Sequence, residues 1–367
     1  MMKTNSLGLY IHIPFCNKKC DYCDFVSVTD FSVMDTYLSC LEEEISFEPE
    51  TSLVDTIFIG GGTPSLLSQK QLDSLFNTIY KAYKVDEKSE ITIELNPESV
   101  TKEKLKAYKE MGINRLSMGV QTFDDRLLKS IGRINNMDKA ISAYKMIEKS
   151  GIDNVNLDLM MALPNQSLTD IVRDLEWVDK LMPNHISYYS LIIEEDTPLA
   201  KRFKGTDENL DRIMYHKIRE ALTKAGYKHY ELSNWSKAGY SCKHNIKYWK
   251  INDYRGYGVA SHSSVGGFRF NHGDDVLEYI KNPHNVAREL IGTEERLSEF
   301  LIMGIRLMDG LSRKEIVERF GQDIWSKRDR FFSLIKNGLI SMDEKKILLT
   351  DKGMDLCNVV EEVLFSL

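Results

Sequence analysis

A chain of 367 residues that is 42% hydrophobic and 28% charged has the composition of an ordinary globular protein, long enough for a large core and a second domain. Its formal net charge of -7 argues against broad electrostatic binding to nucleic acid or anionic lipid. No apolar run approaches the ~18 residues of a membrane span, and the N-terminal stretch MMKTNSLGLYIHIPF lacks a signal peptide's apolar region and cleavage site, so a cytoplasmic protein is expected.

From about residue 7 to 192, short apolar runs alternate with amphipathic stretches. The strand candidates are LYIHI, DTIFIG, EITIEL, RLSMGV, VNLDLMM and HISYYSLI, which read as strands buried on both faces. Between them, SQKQLDSLFNTIYKAY (68–83) has helical spacing, with Leu72, Leu75, Phe76 and Ile79 on one face. TKEKLKAYKEMG ends in glycine, and LTDIVRDLEWVDKLM is stopped by Pro183. Six β-α repeats predict an α/β fold: a parallel sheet curled by right-handed crossovers into a partial, TIM-like (β/α)6 barrel over residues 1–200. Chemistry in such folds sits at the carboxyl ends of the strands. Cys16, Gly60 to Thr63, Glu94 to Pro97, Gln121 and Pro164 fall there.

Residues 201–290 are less regular and read as a barrel extension, with a helix near 207–225, a strand near 227–233 and an aromatic- and glycine-rich tract from Trp235 to Phe270. Over 291–367 the helical stretches EERLSEFLIMGIRLMDG, SRKEIVERFG and IWSKRDRFFSLIKNG precede a hairpin, LISMDEKKILLT, and a last helix. Three helices and a hairpin predict a winged-helix-like domain. From residue 294 onward it carries 12 Lys/Arg against 14 Asp/Glu, whereas a DNA reader shows a basic footprint, so a lid or docking domain is expected and no nucleic-acid partner.

The stretch HIPFCNKKCDYCDF holds three cysteines, Cys16, Cys20 and Cys23, at C-x3-C-x2-C spacing. Structural zinc takes four ligands, usually as two separated pairs, and no second Cys/His pair exists at that spacing. A 4Fe-4S cluster normally takes four thiolates, so three would leave one iron open. Spacing alone leaves both readings standing. Cys40, Cys242 and Cys357 are scattered and read as small buried hydrophobes. In TIFIGGGTPS a buried strand runs into three glycines, which permit close backbone approach to a ligand. Pro64 suits the first turn of a helix whose free N–H groups favour a carboxylate.

Together, C-x3-C-x2-C with Tyr22 before the third cysteine and the later G-G-G-T-P resemble the radical S-adenosylmethionine (SAM) superfamily. YIHIPFCNKKCDYC resembles the branch containing anaerobic coproporphyrinogen III oxidase and its relatives, and the resemblance continues through SMGVQTFDDRLLKSIGR, DLMMALPNQ and YELSNWSKAGYSCKHNIKYW. It implies that Cys16, Cys20 and Cys23 hold a 4Fe-4S cluster whose fourth iron binds the amino and carboxylate groups of SAM. An electron from a donor such as flavodoxin or ferredoxin would then cleave SAM to methionine and a 5'-deoxyadenosyl radical. It further implies that Tyr10 and the backbone at Tyr22 lie beside SAM, that Gly61, Gly62 and Thr63 hold its methionyl end, and that Glu94 contacts the first SAM. Gln121, Arg133 and Asp158 match positions lining a second SAM site in the oxidase, so one SAM or two are expected.

The relatives divide. The oxidase decarboxylates two propionates to vinyl groups, carries a further cysteine two residues after the third, and has an N-terminal extension. Here Phe25 stands at that position and nine residues precede Tyr10. Both departures resemble the heme chaperone subgroup, which binds heme as cargo and passes it to an acceptor protein. The subgroup's H-N-x-x-Y-W motif is present as His244, Asn245, Tyr248 and Trp249. A neutral imidazole can ligate heme iron, and the aromatics can pack on a macrocycle; a satisfied core histidine with two core aromatics fits the same residues. The subgroup's GAGAHS-like loop appears as GVASHS, leaving His262 a second heme ligand or no ligand. Coproporphyrinogen oxidation and small-molecule methyl transfer by radical SAM chemistry are the alternative functions.

Overall fold

The computed structural model describes residues 6–47 and 49–366. The first five residues of the N-terminal stretch read for a signal peptide lie outside that range. Among the described residues no helix is long and apolar enough to cross a membrane.

The chain alternates as expected through β1 (Ser6–Ile13), α1 (Met34–Ser46), β2 (Leu53–Gly61), α2 (Gln69–Ala82), β3 (Val85–Leu95), α3 (Lys102–Glu110) and β4 (Arg115–Gln121). Then follow α4 (Asp125–Ser130), α5 (Met137–Glu148), β5 (Asn154–Met161), α6 (Leu168–Leu181), β6 (His185–Ser190) and α7 (Glu208–Lys224). α2 buries Leu72, Leu75, Phe76 and Ile79 and starts at a capping box in which the Ser68 side chain accepts from Gln71 N–H. α6 uses the same device at Ser167 and Asp170.

β1 to β6 pair in parallel, each with the next. The barrel stays open. β1 pairs on its other side with β9 (Tyr254–Tyr257), and β6 pairs with β8 (Asn234–Ser236), which pairs with β7 (Lys228–Glu231). Beyond β9 the sheet continues antiparallel through β10 (His262–Val265), β11 (Phe268–Asn271) and β12 (Ala287–Leu290).

The strands are largely buried on both faces, as expected, but only one of those faces is apolar. The positions facing the helices are apolar, as at Leu7, Leu9, Ile11, Ile57, Ile93 and Leu157. The alternate positions, aligned across the sheet by register, are largely polar: Tyr10 and His12 on β1, Thr56 on β2, Glu90, Thr92 and Glu94 on β3, Arg115 and Ser117 on β4, Asn156 and Asp158 on β5. These buried polar groups pair with one another, as Ser117 and Asn156 do with Asp158.

α8 (Lys243–Trp249) follows β8 in sequence, and α9 (Val276–Lys281) precedes β12. The C-terminal segment comprises α10 (Thr293–Gly304), β13 (Leu311–Ser312), α11 (Arg313–Phe320), α12 (Phe332–Lys336), β14 (Ile340–Met342), β15 (Lys346–Leu349), α13 (Asp351–Asp355) and α14 (Cys357–Phe365). It has its own apolar core around Leu301, Ile305, Phe331 and Ile347. α10 is shorter than its periodicity predicts. It ends at Gly304, where an added Cβ would lie 2.9 Å from Leu311, and Leu307 leaves the helix to bridge Glu231. The third helical stretch is mostly 3-10, spanning Ile324–Phe331 before α12, with Trp325 Nε1 tied to Asp343 O at 2.6 Å. Cys242 and Cys357 are buried and Cys40 half-buried.

Candidate functional site

The cysteine loop closes on the carboxyl end of β1. Cys16 N–H donates to Val28 O at 3.0 Å, Val28 N–H to Pro14 O at 2.7 Å, and the His12 ring is hydrogen-bonded to Val26 O at 3.0 Å. From the far side, Asp21 N–H donates to Ile131 O, Leu199 N–H to Asp21 O, and Arg202 pairs with the Asp21 carboxylate at 2.7 Å. Held in this way, Cys16, Cys20 and Cys23 are all free and half-buried. Burial pushes the Cys16 and Cys23 thiols up; a hydrogen bond to Thr63 opposes the rise at Cys16, and the Phe25 backbone opposes it at Cys23. No three His, Cys, Asp or Glu side chains among the described residues converge on a single-ion site.

The glycines bring β2 against this loop. Gly61 sits at φ +114, and an added Cβ would meet the His12 ring at 2.9 Å. At Gly62 a Cβ would lie 2.8 Å from Phe15 O and 3.0 Å from Cys16 Sγ. Any side chain here would displace the cysteine loop. Thr63 Oγ1 comes within 3.5 Å of Cys16 Sγ. A cleft of about 280 Å³, counted with its open solvent, runs beside the loop, lined by Cys20, Thr63, Asn96, Glu98, Arg133 and Ile134 among others.

Inside the barrel, Glu94 accepts a hydrogen bond from Gly61 N–H at 3.1 Å. Its carboxylate is enclosed by protein yet keeps partial exposure. Burial, then the Asp158 charge, pushes its pKa up to about 8, against the pull of Gly61 N–H and Arg115. Asp158 is also raised by burial, although Asn156 Nδ2 (2.8 Å) and Ser117 Oγ (3.0 Å) donate to it. Arg115 is 1% exposed beneath these carboxylates, and its Nε has no partner among the described residues. Tyr10 hydrogen-bonds His12 at 3.1 Å, and burial raises its pKa. The Tyr22 side chain packs against a small core that includes Leu127 and Met160. Gln121 is buried at the end of β4 with φ +70, in a turn held by Asp174, which accepts from Thr122 Oγ1 at 3.0 Å and Phe123 N–H at 2.7 Å.

The raised Glu94 pKa gives a pH test. Between about 4.5 and about 8 the folded chain keeps a proton that the unfolded chain has released. Stability of the ligand-free protein therefore falls as pH rises through that window. Glu94→Gln, neutral throughout, flattens the fall in chemical unfolding at about pH 5 and about pH 8. A wild-type slope in the variant contradicts the assignment.

The structure brings together Cys16, Cys20, Thr63, Glu94 and Arg133 but places His244 below them, in the barrel floor. α8 plugs the barrel there, its first backbone N–H groups at Lys243 and His244 donating to the Glu90 carboxylate at 3.1 Å each. His244 is fully buried, with Nδ1 bonded to Thr56 Oγ1 and Nε2 to Tyr248 OH, each at 2.8 Å. Burial, then Lys247 and Arg115, lowers its pKa to about 3, so the ring is neutral. Of the two readings the motif left open, this geometry matches a satisfied core histidine: both ring nitrogens, one of which a heme iron would need, are engaged by Thr56 and Tyr248. Tyr248 lies edge-on to Tyr254, with ring centroids 4.6 Å apart, and Arg306 covers Trp249 at 5.1 Å. His262 is exposed, pairs through its backbone with Asn271 in the sheet, and has no side-chain hydrogen bond among the described residues. The sequence reading missed Arg115 and Asn156 as parts of the inner wall; polar residues at alternate strand positions were the available signal.

Residues 10–178 match the model of the radical SAM superfamily, and residues 292–356 match the HemN C-terminal domain. Over 96% of its length the chain is 36% identical to a heme chaperone HemW of Bacillus subtilis, covering 97% of that protein. It is 41% identical over 98% of both chains to a heme chaperone HemW of Buchnera aphidicola, and 35% identical over 88% of both to that of Escherichia coli. Among solved structures, the coproporphyrinogen III oxidase HemN of Escherichia coli superimposes with a TM-score of 0.86 over 98% of this chain and 90% of its own, at 21% identity. That likeness establishes the shared fold.

Proposed function

The chain belongs to the HemW heme chaperone family of the radical SAM superfamily, and from that premise we propose that it binds heme in the cytoplasm and hands it to an acceptor protein. The observation carrying this reading is similarity to heme chaperones along essentially the whole chain. Phe25 in place of a further cysteine agrees with it; that side chain is 70% exposed beside the cysteine loop.

The superfamily implies a 4Fe-4S cluster and SAM. The residues fit both groups. Three free thiols share one pinned loop, the Gly62 backbone approaches Cys16 as no other residue type could, and Arg133 Nε is buried beside Cys20 without a partner among the described residues. When bound, the cluster supplies the electron that cleaves SAM. In our reading Cys16, Cys20 and Cys23 hold it. Tyr10, the Tyr22 backbone, Gly61, Gly62, Thr63 and Glu94 bind the first SAM, and Gln121, Arg133 and Asp158 form the wall that a second would use. Flavodoxin or ferredoxin donates the electron. For the cargo, Tyr248 and Trp249 are the candidate aromatic residues, and the exposed His262 ring has no side-chain hydrogen bond among the described residues to give up, whereas His244 must first release Thr56 or Tyr248.

Parallel assays on the anaerobically reconstituted protein test the reading. Heme addition produces a Soret band, and coproporphyrinogen III with SAM and reductant stays unconverted. His262→Ala shifts or weakens the band through loss of an axial imidazole. Formation of protoporphyrinogen IX would restore the oxidase, and a methylated product without heme binding would favour the methyltransferase.

A further inference from the structure

Four side-chain contacts join two of the cysteines through a continuous chain. Arg133 Nη1 reaches Cys20 Sγ at 3.6 Å, and Arg133 Nη2 donates to Asn96 Oδ1 at 2.9 Å. Asn96 Nδ2 donates to Thr63 Oγ1 at 3.1 Å, and Thr63 Oγ1 lies 3.5 Å from Cys16 Sγ. The direction of every bond follows from donor chemistry. A guanidinium only donates, so the Asn96 oxygen faces Arg133 and its NH2 faces Thr63. The Thr63 oxygen then accepts from Asn96, which leaves its single proton for Cys16. One guanidinium therefore feeds both sulfurs, Cys20 directly and Cys16 through Asn96 and Thr63. Asn96 touches neither sulfur, yet it contacts both donors, sharing Arg133 Nη2 with the Gly119 carbonyl.

We propose that Asn96 is a positioning residue that sets the reduction potential of the centre held by Cys16, Cys20 and Cys23, by turning the Thr63 hydroxyl onto Cys16 and holding the Arg133 guanidinium against Cys20. The proposal rests on the cluster reading above. Reduction adds negative charge to the centre and its thiolates. Hydrogen-bond donors aimed at the sulfurs stabilise that charge and raise the potential. The arrangement also keeps the donors on the wall of the cleft, where Thr63, Asn96 and Arg133 stand together.

The test is an anaerobic, EPR-monitored redox titration of the full-length reconstituted protein without SAM. Thr63→Val removes the hydroxyl at nearly constant shape, and Thr63→Ser keeps it. Asn96→Asp reverses the relay: a carboxylate has no proton for Thr63, so the hydroxyl turns toward it and away from Cys16. We expect Thr63→Val and Asn96→Asp to lower the midpoint by on the order of 59 mV, a tenfold change in equilibrium constant for a one-electron couple. Thr63→Ser stays at the wild-type value. A wild-type midpoint in iron-replete Thr63→Val overturns the proposal, and so does loss of iron in Thr63→Val with full iron in Thr63→Ser, which would make Thr63 an assembly residue. If Asn96→Asp does not load iron, the Thr63 pair decides. Zinc in place of iron in the wild type would instead defeat the cluster reading itself.

Discussion

Replacing Cys16, Cys20 or Cys23 with alanine strips the iron from the anaerobically purified protein, whereas replacing Cys40, Cys242 or Cys357 leaves it at the wild-type level. The two sets differ in what their sulfurs do. The first three share a loop tied to Val28, Ile131 and Leu199, and they remain free and half-buried beside a cleft. The others are scattered through the fold, each against an oxygen rather than another thiol: Cys40 Sγ reaches Ile280 O at 3.4 Å, Cys242 the Glu90 carboxylate at 3.5 Å and Cys357 the Glu361 carboxylate at 3.3 Å. A cluster with one iron already left to SAM has no spare thiolate, so losing one protein ligand removes a third of its anchorage. Iron, sulfide and zinc analysis of each variant gives the answer. One zinc per chain in the wild type, without sulfide, contradicts the account.

His244→Ala destabilises the protein by about 3 kcal/mol in equilibrium unfolding, the scale of emptying a buried site and orphaning its hydrogen-bond partners. The ring is stacked on Phe58, with centroids 5.4 Å apart, and it satisfies both Thr56 and Tyr248. Removing it leaves two hydroxyls without a partner in a water-poor floor and a void against Gly8, whose missing side chain makes room for the imidazole: a Cβ there would lie 3.2 Å from His244 Cε1. His262→Ala, at an exposed position, changes stability by less than about 0.5 kcal/mol. The pair separates two roles that the motif alone conflates. A loss of heme binding in His244→Ala that tracks its loss of stability is a folding effect. Wild-type stability with selective loss of the Soret band would show that His244 is a ligand and that α8 moves to expose it.

The sequence made the outer half of the barrel legible and the inner half much less so. α2 buries the four residues that its spacing picks out, because a helix on a sheet has one apolar stripe and periodicity reports it directly. Glycines followed by Thr-Pro at the end of an apolar run likewise mark a strand end. The inner wall was harder. Glu90, Thr92 and Glu94 alternate with Ile91, Ile93 and Leu95, yet the run reads as apolar because its aliphatic residues dominate the impression. Only register across β2 to β5 shows that these polar positions meet those of neighbouring strands. The sequence marks Asn96 only as part of a strand end, because its importance lies in bonds to Thr63 and Arg133, 33 and 37 residues away in the chain. His244 shows the opposite limit. Motif resemblance singled it out, but whether a histidine offers a nitrogen depends on what surrounds it, and here Thr56 comes from 188 residues earlier. α10 stops early because Leu307 pairs with Glu231, a tertiary contact that local helical periodicity does not encode.

The central claim, that this chain carries heme for delivery, is tested most directly by loading the reconstituted protein with heme, removing the excess, and mixing it with an apo-hemoprotein while the Soret region is followed. The account predicts that the donor's band decays as the acceptor's holo-spectrum grows, with heme recovered unaltered. A protein that takes up no heme, or that retains it indefinitely in the presence of competent acceptor, would contradict it.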